Sequence, residues 1–486
     1  MIERLAVIMY NGYVIMRATM NKDVHLNRKY RILEDKNILK SLVIMALPLF
    51  MSNILKSLHD IIDSYFLARM DASEEVVAST LAAVNIHWPI YNIFMALGIG
   101  LGIAGVGIMS QYLGSGKDEL AKSYGGKLVT YAAIMGLAVN ILLFFGAPII
   151  STMMGAKGDT YTFSVTYFRY RSLEFTFVYV FLAYQAIRQA SGDTLSPVIL
   201  SVTAIIINMI LTWYFIGYLG MGIAGAGFST LISQVVIVPF AIYNLFFTNK
   251  HNRLAAADLG IDIPTLKEIS RFAMPSAAAH AFSALGFAVI QSMILSYGDV
   301  VSSGFATGNR ISSLLLNPVM AIGAVVTAFI GQNIGNNNKE RAIKSYKIAR
   351  NLSFSIMVVG VLLVIPFAKP IAEFVVGSRN QAIVVVTVEY SIWILGTQPL
   401  MALFQTHLSA FNGSGNNKYA FVMTFTRLWL LRVPLVLFFK YMTTVGYAGI
   451  WYAMVISNLL ILLLGSYLFK KIKFERKVRI DDVRAA

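Results

Sequence analysis

Residues 37–71 read NILKSLVIMALPLFMSNILKSLHDIIDSYFLARMD. The run is long and apolar enough for a transmembrane helix, which needs about 20 such residues. Yet it carries Asn53, Lys56, His59, Asp60 and Asp63. Asn53, Lys56, Asp60 and Asp63 follow one another at spacings of three, four and three, so a helix gathers them into one polar stripe. Leu49, Phe50, Ile54, Leu58, Ile61 and Ile62 fill the opposite, apolar positions. A charged side chain at the centre of a membrane helix costs about 2.5–3.5 kcal/mol even on the lenient insertion scale. The stripe therefore belongs against protein or water rather than lipid, and the segment reads as the wall of a polar cavity.

The rest of the chain agrees with a membrane setting. Of its 486 residues 57% are hydrophobic and 13% charged, with a mean hydropathy of +0.67; a soluble domain carries about 25% charged residues. The formal charge of +16 raises nucleic acid as a partner, but its placement argues against that reading. Of 40 Lys and Arg, eight precede Ser41 and seven follow Phe469, and most others fall in short loops between apolar runs. Such basic loops mark the cytoplasmic side of a membrane protein. There is no cysteine, which excludes disulfides and Cys-ligated metal.

Residues 1–37 read as a cytoplasmic extension. Its run Leu5–Met9 is too short to span; an interfacial amphipathic segment is one reading, and the preferred expectation is an overlong N-terminus with Met20 as the natural start. Twelve apolar segments follow, near 39–67, 78–110, 127–147, 163–190, 196–216, 223–247, 269–296, 301–331, 350–368, 384–411, 420–439 and 447–469. They divide into a six-helix bundle over 38–247, a polar linker at 248–264, a second bundle over 265–471 and a basic tail at 472–486. The loops after segments two, six and eight are basic, as are both ends, so both termini are expected in the cytoplasm.

The two halves repeat. GIMSQYLGSGKDELAKS (107–123) resembles AFIGQNIGNNNKERAIKS (328–345), pairing Gln111 with Gln332 and Gly114 with Gly335. GIAGAGFSTLIS (222–233) matches GYAGIWYAMVIS (446–457). RQASGDTLSP (188–197) has a weaker echo in FNGSGNNKYA (411–420). An offset of ~222 residues holds throughout, the mark of a duplicated half. Six spans per half is even, so both halves enter the membrane from the same side and the repeat is parallel.

Other motifs weigh less. Gly100, Gly102 and Gly105, and again Gly220, Gly222 and Gly225, fit G-x-G-x-x-G. A dinucleotide loop needs a strand and a βαβ unit around it, whereas glycines in membrane helices serve close packing. No Walker A sequence suggests ATP hydrolysis, the histidines lack metal-ligand spacing, and no nucleophile–base arrangement suggests an enzyme. His280 reads as a core histidine, and Arg169, Arg171 and Glu174 as interfacial groups that snorkel. Lys56 and Asp60, at i and i+4, form the expected ion pair, which leaves Asp63 as the acid available to a cation, with His59 one turn away to tune it. Asn208, Thr212 and Thr230 are polar groups in apolar runs, fit to hold an acid or its ion by neutral hydrogen bonds.

These motifs, PLFMSNILKSLHDIIDSYFLARM, GLGIAGVGIMSQYLGSG and SGDTLSP followed by IIINMIL and GMGIAGAG, resemble the multidrug and toxic compound extrusion family over Ile38 to Lys471. The resemblance implies an all-α integral membrane protein of twelve transmembrane helices in two bundles. It implies export of small organic, cationic or amphipathic, compounds in exchange for H⁺ or Na⁺ by alternating access. The chain is expected in the plasma membrane as a monomer, without cofactor or structural metal. Asp63, Asn208 and Thr230 match family positions of a cation-coupling site in the first bundle. Thr212 stands where an aspartate is common, Lys56 where a neutral residue is usual, and His59 and Asp60 replace a Tyr-Asn pair. Asn53, Tyr167 and Gln185 are the expected lining of the substrate cavity, and Na⁺, if used, would sit at Asp63. A lipid-linked-precursor flippase of the same superfamily is the alternative. Such a cavity should concentrate basic residues for a diphosphate, and the acids of the first helix favour the exporter.

Overall fold

The computed structural model describes residues 22–68, 73–247, 253–377 and 380–478, with side chains described except at 22–27, 58–65 and 68. Helix α1 is Lys22–Leu33 and α2 is Ile38–Ala68, the helix of the polar stripe. The first bundle continues with α3 (Glu74–Gly114), α4 (Asp118–Met153), α5 (Gly158–Leu173), α6 (Phe175–Ala190), α7 (Leu195–Thr212) and α8 (Gly222–Phe246). The second holds α9 (Ile263–Leu295), α10 (Asp299–Gly335), α11 (Lys339–Val364), α12 (Ala368–Val376), α13 (Gln381–Gly396), α14 (Gln398–Gly413), α15 (Asn417–Phe425), α16 (Val433–Met442) and α17 (Ala448–Lys471). Among the described residues there is no strand, so both G-x-G-x-x-G runs lack the setting of a dinucleotide loop.

Twelve spans come from these helices, in two six-helix bundles. Ten helical runs are long and apolar enough to cross a membrane, and α13 with α14, bent by 50°, makes an eleventh. The α5–α6 pair, interrupted at Glu174, is the twelfth. Local signals set the helix starts. Ser73 accepts the Val76 N–H at 3.4 Å before the acidic first turn of α3, and Asp262 accepts the Thr265 N–H at 2.6 Å before α9. Proline lies inside several long helices: Pro48 and Pro275 sit at matching places in α2 and α9, while Pro89 and Pro318 lie at different heights in α3 and α10. Neighbouring helices satisfy the carbonyls such prolines free. Span five carries a π-helical segment, Trp213–Tyr218, and so does span eleven, Thr426–Arg432.

The bundles meet at the end that carries both described termini. There the two pairs of the repeat meet crosswise, Gly114 against Gln332 and Gly335 against Gln111. A Cβ on Gly114 would collide with the Gln332 carbonyl, and one on Gly335 with the Gln111 carbonyl, so only glycine permits this backbone approach. Gln111 Nε2 donates to Gly413 O at 3.3 Å, and Gln332 Nε2 to Ala190 O at 2.6 Å. The pseudo-two-fold axis runs between these two helix ends. Higher up, Gly100 lies against the Ala277 backbone, joining α3 to α9.

Buried cores show the same seam. One joins α3, α4, α6 and α8 to Phe272 and Ala273 of α9. A second joins α10, α11, α14 and α17 to Ile32, Ile38, Leu42 and Met45 of the first half. Far from the termini the cores belong to single bundles: Ile290, Phe305, Tyr390 and Trp451 in the second, Leu67, Ile216 and Ala226 in the first.

Two segments read as peripheral in the sequence are built into this frame. Ile32 of α1 is fully buried. Arg341 binds the carbonyls of Ile32 at 3.0 Å and Asp35 at 2.7 Å, and Asn333 Nδ2 donates to Ile32 O at 3.2 Å. The linker is pinned to α4: Thr130 donates to Leu259 O at 2.8 Å, Tyr131 to Asp262 O at 2.6 Å, and Lys127 pairs with Asp262. Burial works against the Asp262 charge, but Lys127 and the amide and hydroxyl of Thr265 outweigh it and hold the carboxyl below its ordinary value.

Candidate functional site

In the first bundle, α7 and α8 present their polar residues to each other. Asn208 is buried and its Nδ2 donates to Thr230 Oγ1 at 3.1 Å. Thr212, one turn on, donates to Asn208 Oδ1 at 3.3 Å and shares a 2.9 Å hydrogen bond with Ser229. The spacing Asn208–Thr212 keeps both on one face of α7, and the Ser229-Thr230 step on α8 meets them. The structure thus joins three of the residues singled out by sequence, and adds Ser229, which the sequence reading missed. A Ser beside an expected Thr is too common a pair to have signalled it.

Helix α2 packs along α7 and reaches the π-helical segment and α8, so the striped helix borders this cluster. His59, Asp60 and Asp63 lie on α2, but their side chains are outside the described residues. Asn53 is half-buried and Lys56 exposed. One turn beyond Asp63, Phe66 and Leu67 pack with Ile216 and Ala226, and Tyr167 joins that packing. Gln185 is half-buried on α6, and no described hydrogen bond ties it to the cluster.

A second polar group sits at the break between α5 and α6. Arg171 Nη1 bonds Glu174 Oε2 at 3.0 Å, with the Glu174 side chain 1% exposed. The guanidinium lies over the Tyr91 ring at 4.8 Å, and His87 packs edge-on to Tyr167 and Phe168 at 4.9 and 4.8 Å. This corrects the snorkelling expectation for Arg171 and Glu174. A buried charge survives by pairing, and the i, i+3 spacing was the signal for it. Arg169, exposed and over Phe144 at 5.5 Å, does behave as a peripheral group. His280, expected in the core, lies on an exposed position of α9.

The seam has its own polar lock. Asp193 accepts the Ser196 N–H at 3.1 Å and the Ser196 hydroxyl at 2.7 Å, opening α7, and pairs with Arg28 of α1 at 3.0 Å. The SGDTLSP motif is therefore a turn: Gly192 takes a φ of +83° and Asp193 fastens the first turn of α7. In the second bundle, Ser303, Arg310 and Ser313 are exposed and Asn317 half-buried, all on one face of α10. Among the described residues no three His, Cys, Asp or Glu form a metal-binding group.

Two six-helix bundles, a parallel repeat and polar groups walled inside apolar spans define a multi-pass membrane transporter. The MatE family model matches residues 48–214 and 275–438, one stretch in each bundle, and the chain belongs to that family. The Probable multidrug resistance protein YpnP of Bacillus subtilis is 24% identical over 412 residues, 83% of this chain and 89% of the relative. The FAD transporter of Shewanella oneidensis is 27% identical over 424 residues, 84% and 89% of the two chains. In structure, a MOP superfamily transporter from Pyrococcus furiosus superposes with a TM-score of 0.85 at 22% identity, covering 92% of this chain and 97% of that one. An outward-facing MATE family transporter gives 0.83 at 22% identity, over 90% and 96%. The structural likeness carries the fold.

Proposed function

We propose that this chain is a secondary antiporter of the plasma membrane, acting as a monomer, that exports amphipathic organic cations in exchange for H⁺ or Na⁺. The observation that carries the reading is the Asn208–Thr212–Ser229–Thr230 cluster beside α2. Neutral donors and acceptors of this kind hold a carboxylate or its ion without neutralising it permanently. Asp63 is the coupling acid, and ion binding there biases one arrangement of the bundles over another. Lys56 and Asp60, one turn apart, pair with each other, and His59 tunes Asp63. The basic loops and tails support cytoplasmic termini. On that orientation the Gln111–Gln332 seam closes the cytoplasmic side, and alternating access requires it to part. The relatives named for multidrug resistance support export of small organic compounds.

The test is expression in an efflux-deficient host, followed by everted vesicles with imposed gradients. Ethidium accumulation should fall in cells, and a Na⁺ or pH gradient should drive uptake into vesicles. Unchanged handling of a broad cation panel under both gradients refutes the reading.

A further inference from the structure

We propose that the second bundle contains a binding site for an anionic group, a carboxylate or phosphate, built on Arg427 with Arg432 behind it. Both arginines lie on the π-helical segment of span eleven, and π-helical turns inside α-helices are frequently functional. Arg427 is ten residues into a span that starts at Asn417, about 15 Å of rise, near the middle of a hydrocarbon core of about 30 Å. Relative exposure is 7% for Arg427 and 2% for Arg432. Guanidinium groups stay charged there, and such groups require partners.

The partners present are neutral. Arg432 donates from Nε to Ser457 Oγ at 3.0 Å and from Nη2 to Asn458 Oδ1 at 2.6 Å, and Asn458 donates to Thr397 Oγ1 at 3.1 Å. Arg427 has less. Its Nη1 points to the Met401 sulfur at 3.3 Å, its Cζ lies 4.5 Å from the Phe404 ring centre, and its Nε is buried without an acceptor. No Asp or Glu occurs anywhere from Tyr390 to Lys471, so α14 to α17 offer no carboxylate. Glu389, one residue earlier, accepts from Tyr447 Oη at 3.0 Å.

The internal repeat sharpens the point. The repeat matches on either side of this span are offset by 223 and 224 residues, so Arg427 falls on Ala204 or Thr203 and Arg432 on Met209 or Asn208 of span five. Neither register places a charged residue in span five, so the positive charge belongs to the second bundle alone. The same span thus offers neutral groups beside an acid-bearing helix in the first bundle, and uncompensated positive charge in the second. An oxyanion supplies what Arg427 lacks, since a planar guanidinium binds carboxylate or phosphate through a two-pronged charge-assisted pair. This assignment deepens the export reading and rests on it only for the identity of the bearer. The transported compound carries an anionic group, or a lipid headgroup brings it.

The full chain, purified and delipidated in neutral detergent, tests the site by thermal shift. Separate arms contain malonate, inorganic pyrophosphate, phosphatidylglycerol micelles, phosphatidylcholine micelles and tetraphenylphosphonium. At least one anion arm should stabilise the wild type: malonate or pyrophosphate if the group is soluble, phosphatidylglycerol but not phosphatidylcholine if it is a headgroup. Arg427→Gln should weaken that response about tenfold or more, the loss of one strong charge-assisted pair, and leave the tetraphenylphosphonium response unchanged. Should Arg427→Gln not fold, Arg427→Lys keeps the charge, loses the fork, and should weaken the anion by a similar factor. The site is refuted if no anion stabilises the wild type, or if the folded variants respond as the wild type does. Failure of gradient-driven cation export with intact anion binding removes the export reading and keeps the site.

Discussion

Replacing Gly114 by alanine should open the seam at the termini. The new Cβ would collide with the Gln332 backbone carbonyl, which cannot rotate away as a side chain would. The ends of α3 and α10 must separate, by about 1.5 Å to restore an ordinary carbon–oxygen contact. That movement strains the two symmetric hydrogen bonds, Gln111 to Gly413 O and Gln332 to Ala190 O. A typical buried hydrogen bond contributes about 0.5–1.5 kcal/mol, so losing both costs about 1–3 kcal/mol in this arrangement alone. A two-state equilibrium shifts by a factor of about 5–150 for that difference. The chain has no native cysteine, so spin labels can be placed on cysteines at Lys117 and Lys339, both exposed at the seam's rim. Pulsed electron–electron resonance should show a single short distance in the parent and a longer, populated second distance in Gly114→Ala. Gly335→Ala should do the same, because the contact is reciprocal. Identical distance distributions in parent and both variants would refute the claim that this backbone contact closes the bundles.

Further outcomes concern other parts of the molecule. Cysteines at Ser73 and Lys157 should react with an impermeant thiol reagent from outside intact cells and one at Ser115 should not; the reverse pattern overturns the orientation. Asn208→Ala removes the acceptor of Thr212 and the donor to Thr230, and should lower stability by about 1–3 kcal/mol, read as a depressed melting temperature along with lost transport; a variant that melts and transports as the parent would show the cluster to be idle. The Asp262 carboxyl is held below its ordinary value, so its contribution is present above the unfolded carboxylate pKa and lost as pH falls through the lower, folded one. Hydrogen exchange at 253–262 should therefore quicken on strong acidification, and Asp262→Asn should quicken it already at neutral pH; equal protection in both proteins at neutral pH would contradict the pinning.

Much of the architecture is legible in the sequence because hydrophobic run lengths and loop charge are strong signals in membrane chains. The repeat is legible too, and the residues matched by sequence alone meet crosswise, Gly114 against Gln332 and Gly335 against Gln111. The features that escape are set by partners distant in the chain. Helix α1 looks like a charged extension because its anchors, Arg341 and Asn333, lie some 300 residues away. The buried Arg171–Glu174 pair is misread because position near a segment's start resembles an interface. The π-helical segments have no composition signal, since they arise from packing rather than propensity. In the first bundle, polarity in apolar runs reveals Asn208, Thr212 and Thr230, while Ser229 needs the helix crossing to be seen. Arg427 and Arg432 stand out in an apolar span, but only the structure shows that neutral groups surround them.

The central claim is that the first bundle couples export to a cation at Asp63. Wild type and Asp63→Asn, reconstituted into proteoliposomes at equal density, should be compared for ethidium transport under imposed Na⁺ and pH gradients. The account predicts gradient-driven transport by the wild type under at least one gradient, and none by Asp63→Asn despite normal insertion and melting temperature. Transport by Asp63→Asn at the wild-type rate under both gradients would contradict it.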